Sequence, residues 1–244
     1  MDRVVLITGA SSGVGLALAG HLAGRYRVIA LARRVERIRE HLEHNPAVEA
    51  VRADLADERQ TSRVLDGLLE RFGYIPFLVN NAGVSLKAEI ADLDARQAGR
   101  CMQVNALSPL LIMRKLLPGM RERNFGRIVN VTSGAPLNCS PGFGAYSASK
   151  AALNAFTVTA ARECADLNIK INLMSPGPVR TGMAPDAPLD PSVCLPTADY
   201  LLELGEDGPT GRFFWLGYEI PLFPDTSGVH WLEGRADSRF ARVV

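Results

Sequence analysis

Three side chains in the second half of the sequence could together move a proton to or from an oxygen atom. Tyr146 and Lys150 are four residues apart in a stretch that predicts a helix, so both lie on one helix face. Ser133 ends the predicted strand before that helix. An ordinary tyrosine has a pKa of about 10, and a nearby ammonium lowers that value by stabilising the phenolate. The spacing therefore predicts an acid–base tyrosine assisted by a lysine, with a hydroxyl beside it.

The choice of lysine at position 150 is informative because lysines are scarce in this chain. Only four of the 27 basic residues are lysines, and the others are arginines. A lysine head is compact and donates three hydrogen bonds, so it can also reach two ribose hydroxyls. The four lysines are Lys87, Lys115, Lys150 and Lys170.

A glycine-rich turn near the start of the chain predicts nucleotide binding. Gly9 follows the first predicted strand, and Gly13 and Gly15 open the first predicted helix. Glycine allows a tight turn and a close approach of the backbone to a pyrophosphate, and the helix start offers free N–H groups. At the first turn of a doubly wound sheet, this pattern is typical of dinucleotide binding.

The end of the second predicted strand bears on which dinucleotide binds. It reads Ala32-Arg33-Arg34, with no acidic residue until Glu36. A free ribose 2′-hydroxyl is normally held here by a carboxylate, whereas a 2′-phosphate needs positive charge. We therefore expect NADP(H) to be preferred, chiefly through Arg33, with NAD(H) possible; the alternative is that both arginines lie on a solvated face. Asp54, after the third strand, is placed to bond the adenine amino group.

Short β-branched stretches alternate with longer amphipathic ones, which predicts parallel strands joined by helical crossovers. The strands are apolar nearly throughout, as expected when helices cover both faces. We therefore predict an α/β fold, a Rossmann-type doubly wound parallel sheet of about seven strands with helices on both faces. The predicted strands are Val4–Thr8, Arg27–Ala32, Ala47–Arg52, Phe77–Asn80, Arg127–Thr132, Ile169–Met174 and Gly211–Leu216. The predicted helices are Val14–Ala23, Val35–Leu42, Asp57–Phe72, Ala95–Arg123 with an interruption near Ser108-Pro109, Tyr146–Asp166 and Thr197–Leu204.

The pattern changes after Pro176, where six prolines fall between positions 176 and 196. So many prolines exclude a long helix and predict a loop or lid over 182–196. We expect one catalytic domain over 1–220 and a tail over 221–244 that carries Trp231 and Phe240. Three roles are open for the tail: closing the pocket, reaching a neighbouring subunit, or remaining disordered.

Composition and charge exclude several other classes of protein. The net charge is +1 and the basic residues are spread along the chain, so neither nucleic-acid nor polybasic membrane binding is expected. The four cysteines are far apart and predict reduced thiols in a cytoplasmic protein. His41 and His44 have no nearby partners, so no metal site is expected. The apolar run of Val4 to Ile7 is too short for a signal peptide or membrane span.

Six motifs in order resemble those of the short-chain dehydrogenase/reductase family, over Val4 to about Leu216. This resemblance implies an enzyme that interconverts a ketone or aldehyde and an alcohol by hydride transfer with a nicotinamide cofactor. The motifs are Thr8-Gly9 with Gly13-Val14-Gly15, Asn80-Asn81-Ala82-Gly83, Asn105, Ser133, Tyr146-Ser147-Ala148-Ser149-Lys150, and Pro176-Gly177-Pro178-Val179-Arg180-Thr181.

The resemblance also implies roles for individual residues. Tyr146 is the general acid in reduction and the general base in oxidation, and Ser133 stabilises charge on the substrate oxygen. Lys150 lowers the tyrosine pKa and holds the nicotinamide ribose, while Asn105 positions a water that relays protons to the lysine. The implied cofactor contacts are Gly9, Ser11, Ser12, Gly13, Val14, Gly15, Arg33, Arg34, Asp54, Leu55, Asn81, Ala82, Gly83, Tyr146, Lys150, Pro176, Gly177, Val179 and Thr181.

The lid suggests a substrate class, because in this family the corresponding segment covers the substrate. The segment 182–196 is short, has two acidic residues and no basic one, and suits an uncharged, moderately apolar carbonyl compound. The predicted substrate contacts are Ser133, Leu86, Leu137, Phe143 and Met183. The alternative is that the four apolar residues among them only pack the lid.

Two other functions are weighed against a carbonyl reductase. One is a reductase of β-ketoacyl groups on an acidic carrier protein, which docks on two arginines in this family. Arg127 matches one of these positions, but Leu167 stands near where the second arginine is expected. The other is a non-catalytic module that senses NADP(H). The segment Gly208 to Phe214 with Ile220-Pro221 is similar to carbonyl reductases of the family. The helices around Asn105 and Ala151 resemble its dimerisation surfaces, which implies a homodimer or homotetramer.

Overall fold

A computed structural model describes residues 3–227, 229–230, 232 and 235–239. Its centre is an eight-stranded sheet with the order β3-β2-β1-β4-β5-β6-β7-β8, in which the first seven strands are parallel. The predicted α/β doubly wound sheet is confirmed. The strands are β1 (Val4–Thr8), β2 (Arg27–Ala32), β3 (Val48–Arg52), β4 (Phe77–Asn80), β5 (Gly126–Val131), β6 (Ile169–Ser175), β7 (Phe213–Trp215) and β8 (Tyr218–Ile220).

Two helical layers cover the sheet, and alternate residues of each strand point into one or the other. In β1, Val5 and Ile7 pack with one layer, whereas Val4 and Leu6 pack with the other. Helices α1 and α8 lie in the first layer, and α3, α5 and α7 lie in the second. The helices are α1 (Gly13–Leu22), α2 (Val35–Leu42), α3 (Glu58–Phe72), α4 (Ala95–Met102), α5 (Ser108–Glu122), α6 (Ala135–Asn138), α7 (Gly144–Glu163) and α8 (Leu195–Leu202).

The sheet has one strand more than the seven that the sequence predicts. Strand β8 pairs antiparallel with β7 across a turn at Leu216 and Gly217, both with positive φ. Its three residues are mostly exposed at the sheet edge. An exposed strand of this length has no apolar run, so the sequence pattern carries no signal for it.

The long helical region is interrupted earlier in the chain than the predicted position near Ser108-Pro109. One π-helical turn over Gln103–Leu107 separates α4 from α5, and Asn105 lies within that turn. Pro109 occupies the first turn of α5, where a proline is tolerated. Single π turns of this kind are frequent at functional sites, because they re-aim side chains within a helix.

The proline-rich segment after β6 is a folded loop. Val179 bridges to Leu189, a 3₁₀ turn follows over Pro191–Cys194, and α8 begins directly after it. In the predicted tail, Val229–His230 (β9) pairs antiparallel with Arg235–Ala236 (β10); Trp231 and Phe240 lie outside the described residues. Within the described ranges, the helices are too short or too polar to cross a membrane.

Candidate active site

A cleft of about 1240 Å³ opens where the parallel strands end. Residues that follow all of the first six strands line it, as expected for the ligand site of a doubly wound sheet. The glycine turn lines this cleft together with three of the four predicted catalytic residues, Ser133, Tyr146 and Lys150, whereas Asn105 does not line it. Of the predicted cofactor contacts, all except Gly15 line it.

The glycine turn is tightly packed against the loop after β4. Gly9 and Gly13 have φ values of +70° and +55°, which favour glycine. A Cβ at Gly15 would lie 2.4 Å from Asn81 Nδ2, so packing at this position requires glycine. The Thr8 hydroxyl accepts hydrogen bonds from the N–H groups of Asn81 and Ala82, each at 3.0 Å. The first two motifs thus form one rigid floor.

Three arginines from one short segment line the far end of the cleft. Arg33 and Arg34 follow β2, and Arg37 lies one turn into α2. Arg34 donates a hydrogen bond of 3.4 Å to the Ser12 hydroxyl, which links this segment to the glycine turn. Arg37 is missing from the sequence prediction, although its position in the first turn of the helix that follows Arg34 could have indicated it.

Lys150 is almost completely buried, with 3% of its surface exposed. Its ammonium donates a 2.7 Å hydrogen bond to the Val131 carbonyl at the end of β5. Burial lowers the pKa of Lys150 to about 8, against a smaller opposing effect of the Cys101 thiol. The ammonium is therefore easier to deprotonate than an ordinary lysine.

Tyr146 is shifted in the opposite direction from the one the sequence predicts. Burial raises the pKa of its phenol, and the Ser133 hydroxyl offsets this only in part. The Lys150 ammonium is directed at the Val131 carbonyl, so desolvation decides the pKa of the tyrosine. Tyr146 is thus held as a neutral phenol that can give a proton. The Ser133 oxygen accepts a 3.1 Å hydrogen bond from the Ala135 N–H.

The Asn105 side chain is fully engaged by protein atoms. Its Oδ1 accepts from the Val84 N–H at 2.8 Å, and its Nδ2 donates to the Val84 carbonyl and the Ser149 hydroxyl at 2.9 Å each. The Cys101 sulfur lies 3.3 Å from the same nitrogen. This carboxamide fixes the loop after β4 against α7. The role of Asn105 in positioning a water stays a prediction. Cys101 belongs to this buried network, which its sequence context does not indicate.

Helix α7 is fastened to the end of β5 by three side chains on one of its faces. These hydrogen bonds are 2.6–2.8 Å long and reach three consecutive residues of the chain. They fix the helix that carries Tyr146 relative to the strand that leads into Ser133. The bonds join Thr157 to Asn130, Lys150 to Val131 and Asn154 to Thr132.

The predicted substrate contacts are only partly brought together. Ser133 and Met183 line the cleft, whereas Leu86, Leu137 and Phe143 do not. Leu137 lies on α6 and is 46% exposed, and the Phe143 ring lies 6.0 Å from the Lys87 ammonium. The apolar character of these residues predicts a pocket wall, and three of them lie outside the cleft lining. Further polar residues that line the cleft are Arg100, Arg180 and Asp190.

A family model described as short chain dehydrogenase matches residues 3–191 of the chain. The chain belongs to the short-chain dehydrogenase/reductase family. A curated relative, 2-(R)-hydroxypropyl-CoM dehydrogenase from Xanthobacter autotrophicus, is 38% identical over 192 residues, which are 75% of this chain and 77% of the relative. A metagenomic short-chain oxidoreductase solved with NADP is 28% identical, with a TM-score of 0.78 over 87% of this chain and 96% of that one. A carbonyl reductase from chicken fatty liver shares the fold at 23% identity, with a TM-score of 0.81 over 91% and 99% of the two chains.

This short-chain dehydrogenase/reductase is therefore an NAD(P)-dependent oxidoreductase that acts on a CH–OH group or its oxidised form. The family assignment agrees with the resemblance in the motifs. The assignment to a family of enzymes also argues against the alternative of a non-catalytic module that senses NADP(H).

The predicted docking role of Arg127 in this short-chain dehydrogenase/reductase is wrong. Its side chain is 1% exposed, and its guanidinium donates 2.8 Å hydrogen bonds to Leu204, Gly126 and Asn168. An arginine committed to buried carbonyls cannot bind the surface of an acidic carrier protein. Arg127 instead ties β5 to the end of α8, which the sequence position alone does not reveal.

Proposed function

We propose that this enzyme reduces a ketone or aldehyde to an alcohol, or catalyses the reverse reaction, with NADP(H) as the preferred cofactor. One observation carries the proposal. Ser133, Tyr146 and Lys150 line the same cleft as the glycine turn and the arginines of segment 33–37. A proton-transfer group and a dinucleotide floor in one cleft suit hydride exchange with a carbonyl carbon.

The cleft suits a dinucleotide with a 2′-phosphate. Gly9 and Gly13 have positive φ values, which favour residues without a side chain at the turn before α1. Free N–H groups at the start of α1 favour a pyrophosphate there. Arg33, Arg34 and Arg37 would hold the phosphate on the ribose. NADP(H) would supply or accept the hydride. The presence of NADP in a relative that is 28% identical supports this preference.

The adenosine and nicotinamide would bind to residues from neighbouring strand ends. Asp54, Leu55 and the segment 81–83 would contact the adenosine, and the segment 176–181 would contact the nicotinamide. Lys150 would donate to ribose hydroxyls from its buried position.

Tyr146 would transfer the proton at its phenolic oxygen. A tyrosine phenol is protonated at neutral pH, so Tyr146 would donate its proton to the substrate oxygen in reduction. In oxidation the same oxygen accepts the alcohol proton. The Ser133 hydroxyl would donate a hydrogen bond to the substrate oxygen and stabilise the negative charge that develops there.

The substrate would be a small uncharged carbonyl compound or alcohol. Met183 gives the cleft an apolar contact, and Asp190 also lines the cleft. Hydrogen bonds from Ser192 lower the pKa of Asp190, and the charge of Arg180 lowers it further. The segment 182–196 would close over this substrate. We further propose one catalytic domain over 1–220 and a homodimer or homotetramer formed through α5 and α7.

A Tyr146→Phe variant tests the proposal. We expect it to lose at least about 100-fold in carbonyl-dependent NADPH oxidation, because general acid–base catalysis typically contributes that much or more. NADPH binding, followed by the fluorescence of the bound cofactor, should change little. Activity close to that of the unmodified enzyme in a screen of ketones and aldehydes would contradict the role of Tyr146.

A further inference from the structure

We propose that Arg52 is a specificity-determining residue, because it pairs with Glu36 and so removes a carboxylate from the phosphate-binding end of the cleft. The inference rests on the proposed function, in which the arginines of segment 33–37 bind the ribose phosphate. It concerns two residues that do not themselves line the cleft.

Segment 33–37 carries opposing charges within five residues. Its three arginines line the cleft, whereas Glu36 lies in the first turn of α2 and does not line it. A carboxylate at this end of the cleft would attract ribose hydroxyls and repel a phosphate. The side to which Glu36 turns therefore affects the choice of cofactor.

Arg52 is placed to control Glu36 from the neighbouring strand. It is the last residue of β3 and lies opposite Ala32 in the parallel register of β2 and β3. Its Nη2 forms an ion pair with Glu36 Oε1, and its Nη1 donates a 3.1 Å hydrogen bond to the Arg33 carbonyl. One guanidinium thus holds both the carboxylate and the backbone that carries the phosphate-binding arginines.

The Glu36 charge cannot be removed by protonation at neutral pH. A hydrogen bond from its own backbone lowers the pKa of Glu36, and Arg52 and Arg39 lower it further. Because the carboxylate stays ionised, a cation must offset it. Arg39 contributes charge from the next turn of α2, but the direct ion pair is with Arg52.

The pair is too exposed to matter much for stability. The side chains of Arg52 and Glu36 are 58% and 65% exposed, and pairs of this kind contribute little to folding. Variants at either position should therefore fold. A change in cofactor selection can then be measured without interference from unfolding.

The test compares the dissociation constants of NADPH and NADH, measured by cofactor fluorescence at low ionic strength. In Arg52→Ala, we expect NADPH binding to weaken roughly three- to tenfold relative to NADH, as one uncompensated surface charge near a phosphate would cause. The double variant Arg52→Ala/Glu36→Gln should recover most of the loss. Thermal unfolding of each variant verifies the fold.

A matched control comes from a second ion pair of β3. Arg71 donates to both carboxylate oxygens of Glu49 at 2.7 and 2.8 Å, is 53% exposed, and does not line the cleft. Arg71→Ala should leave the ratio of the two dissociation constants unchanged. An equal effect of Arg71→Ala and Arg52→Ala would overturn the proposal, because a general loss of surface charge would then be the cause.

The remaining outcomes separate this inference from the proposed cofactor preference. If the unmodified enzyme binds NADPH more tightly, and Arg33→Asp reverses this while Arg52→Ala has no effect, the role of Arg52 is wrong and the preference stands. If the double variant shows no recovery, neutralisation of Glu36 is refuted. If the unmodified enzyme binds NADH as tightly as NADPH, the proposed preference itself is wrong.

Discussion

Burial sets the protonation of the two residues that would exchange protons in the cleft. It lowers the pKa of Lys150 to about 8 and raises the pKa of Tyr146, because each is more easily kept neutral away from water. The two residues line one cleft, in which Tyr146 would donate a proton in the direction of reduction. The same shifts link the stability of the fold to pH.

We expect stability to rise with pH through the titration of Lys150. The folded pKa of about 8 lies below the ordinary value of 10.5, so between these values the unfolded chain binds more protons. The free energy of unfolding should therefore increase from pH 7.5 to pH 10 by an amount on the order of 2 kcal/mol, relative to a Lys150→Met variant. Urea unfolding of both proteins at the two pH values measures this difference. A difference that is flat or falls with pH would contradict the buried ammonium.

For single residues, the sequence predicts which side chains meet in the site better than it predicts their burial and pKa shifts. Tyr146, Lys150 and the glycines stand at spacings that place them on one helix face or in one turn, so their sequence positions suffice. The direction of the Tyr146 shift and the burial of Arg127 depend on atoms distant in the chain. The same is true of Cys101, whose contacts come from α7, the loop after β4 and the π turn that follows α4.

The turn between β1 and α1 depends on the absence of a side chain at Gly15. A Cβ there would lie 2.4 Å from both Asn81 Nδ2 and the Gly9 carbonyl oxygen. We expect Gly15→Ala to lower the free energy of unfolding by about 1–3 kcal/mol and to weaken NADPH binding, because the overpacked turn must move. Chemical denaturation and cofactor titration measure the two effects.

Gly67 provides a matched control for this substitution. It lies inside α3, and a Cβ there would meet no atom within 4 Å. Gly67→Ala should stabilise the protein by about 0.4–1 kcal/mol and leave cofactor binding unchanged. Equal effects at the two glycines would mean that helix propensity, and not the contact with Asn81, explains the result at Gly15.

The hydrogen bonds between α7 and β5 differ in their distance from Ser133. Thr132 directly precedes Ser133 and donates to Asn154 at 2.6 Å, whereas Thr157 accepts from Asn130 two residues further back. Thr132→Val leaves a buried carboxamide oxygen without a donor and should cost about 1–3 kcal/mol of stability. We also expect it to lower kcat with little change in KM, since Ser133 and Tyr146 lose their fixed spacing.

Thr157→Val serves as the comparison for Thr132→Val. It removes a hydroxyl of similar burial from the same helix, so the loss of stability should be similar. Its kcat should stay close to that of the unmodified enzyme. A parallel fall in kcat for both variants would show that the bonds only support the fold.

Among the secondary-structure elements, the strands were predictable because helices bury both faces of the sheet. Apolar runs marked β1 to β6 to within one residue at each end, because helices cover both sides of the sheet. The predicted β7, Gly211–Leu216, begins two residues before the observed strand. Strand β8 has one pairing partner and faces solvent, so its sequence has no such run. The π turn at Asn105 is set by hydrogen bonds to Val84, which lies 21 residues earlier and gives no local signal.

Apolar side chains are exposed on the surface formed by the helices that the family resemblance implies for dimerisation. Leu107 is 41% exposed and Leu110 36% exposed at the start of α5. Ala151 and Ala155 of α7 are exposed as well, and small residues allow two helices to approach closely. We expect the chain to form a homodimer or homotetramer through this surface.

A Leu110→Glu variant should shift the oligomer towards smaller species, because a carboxylate buried at an interface carries a desolvation cost. Light scattering coupled to size-exclusion chromatography measures the mass. Tyr218→Glu is the control, since Tyr218 is 66% exposed on β8 at the edge of the sheet. Dissociation by Tyr218→Glu alone would move the interface to the sheet edge, and a monomeric unmodified protein would refute association. Because Lys150 and Asn154 lie on α7 with the exposed alanines, loss of the oligomer should also lower activity by loosening that helix.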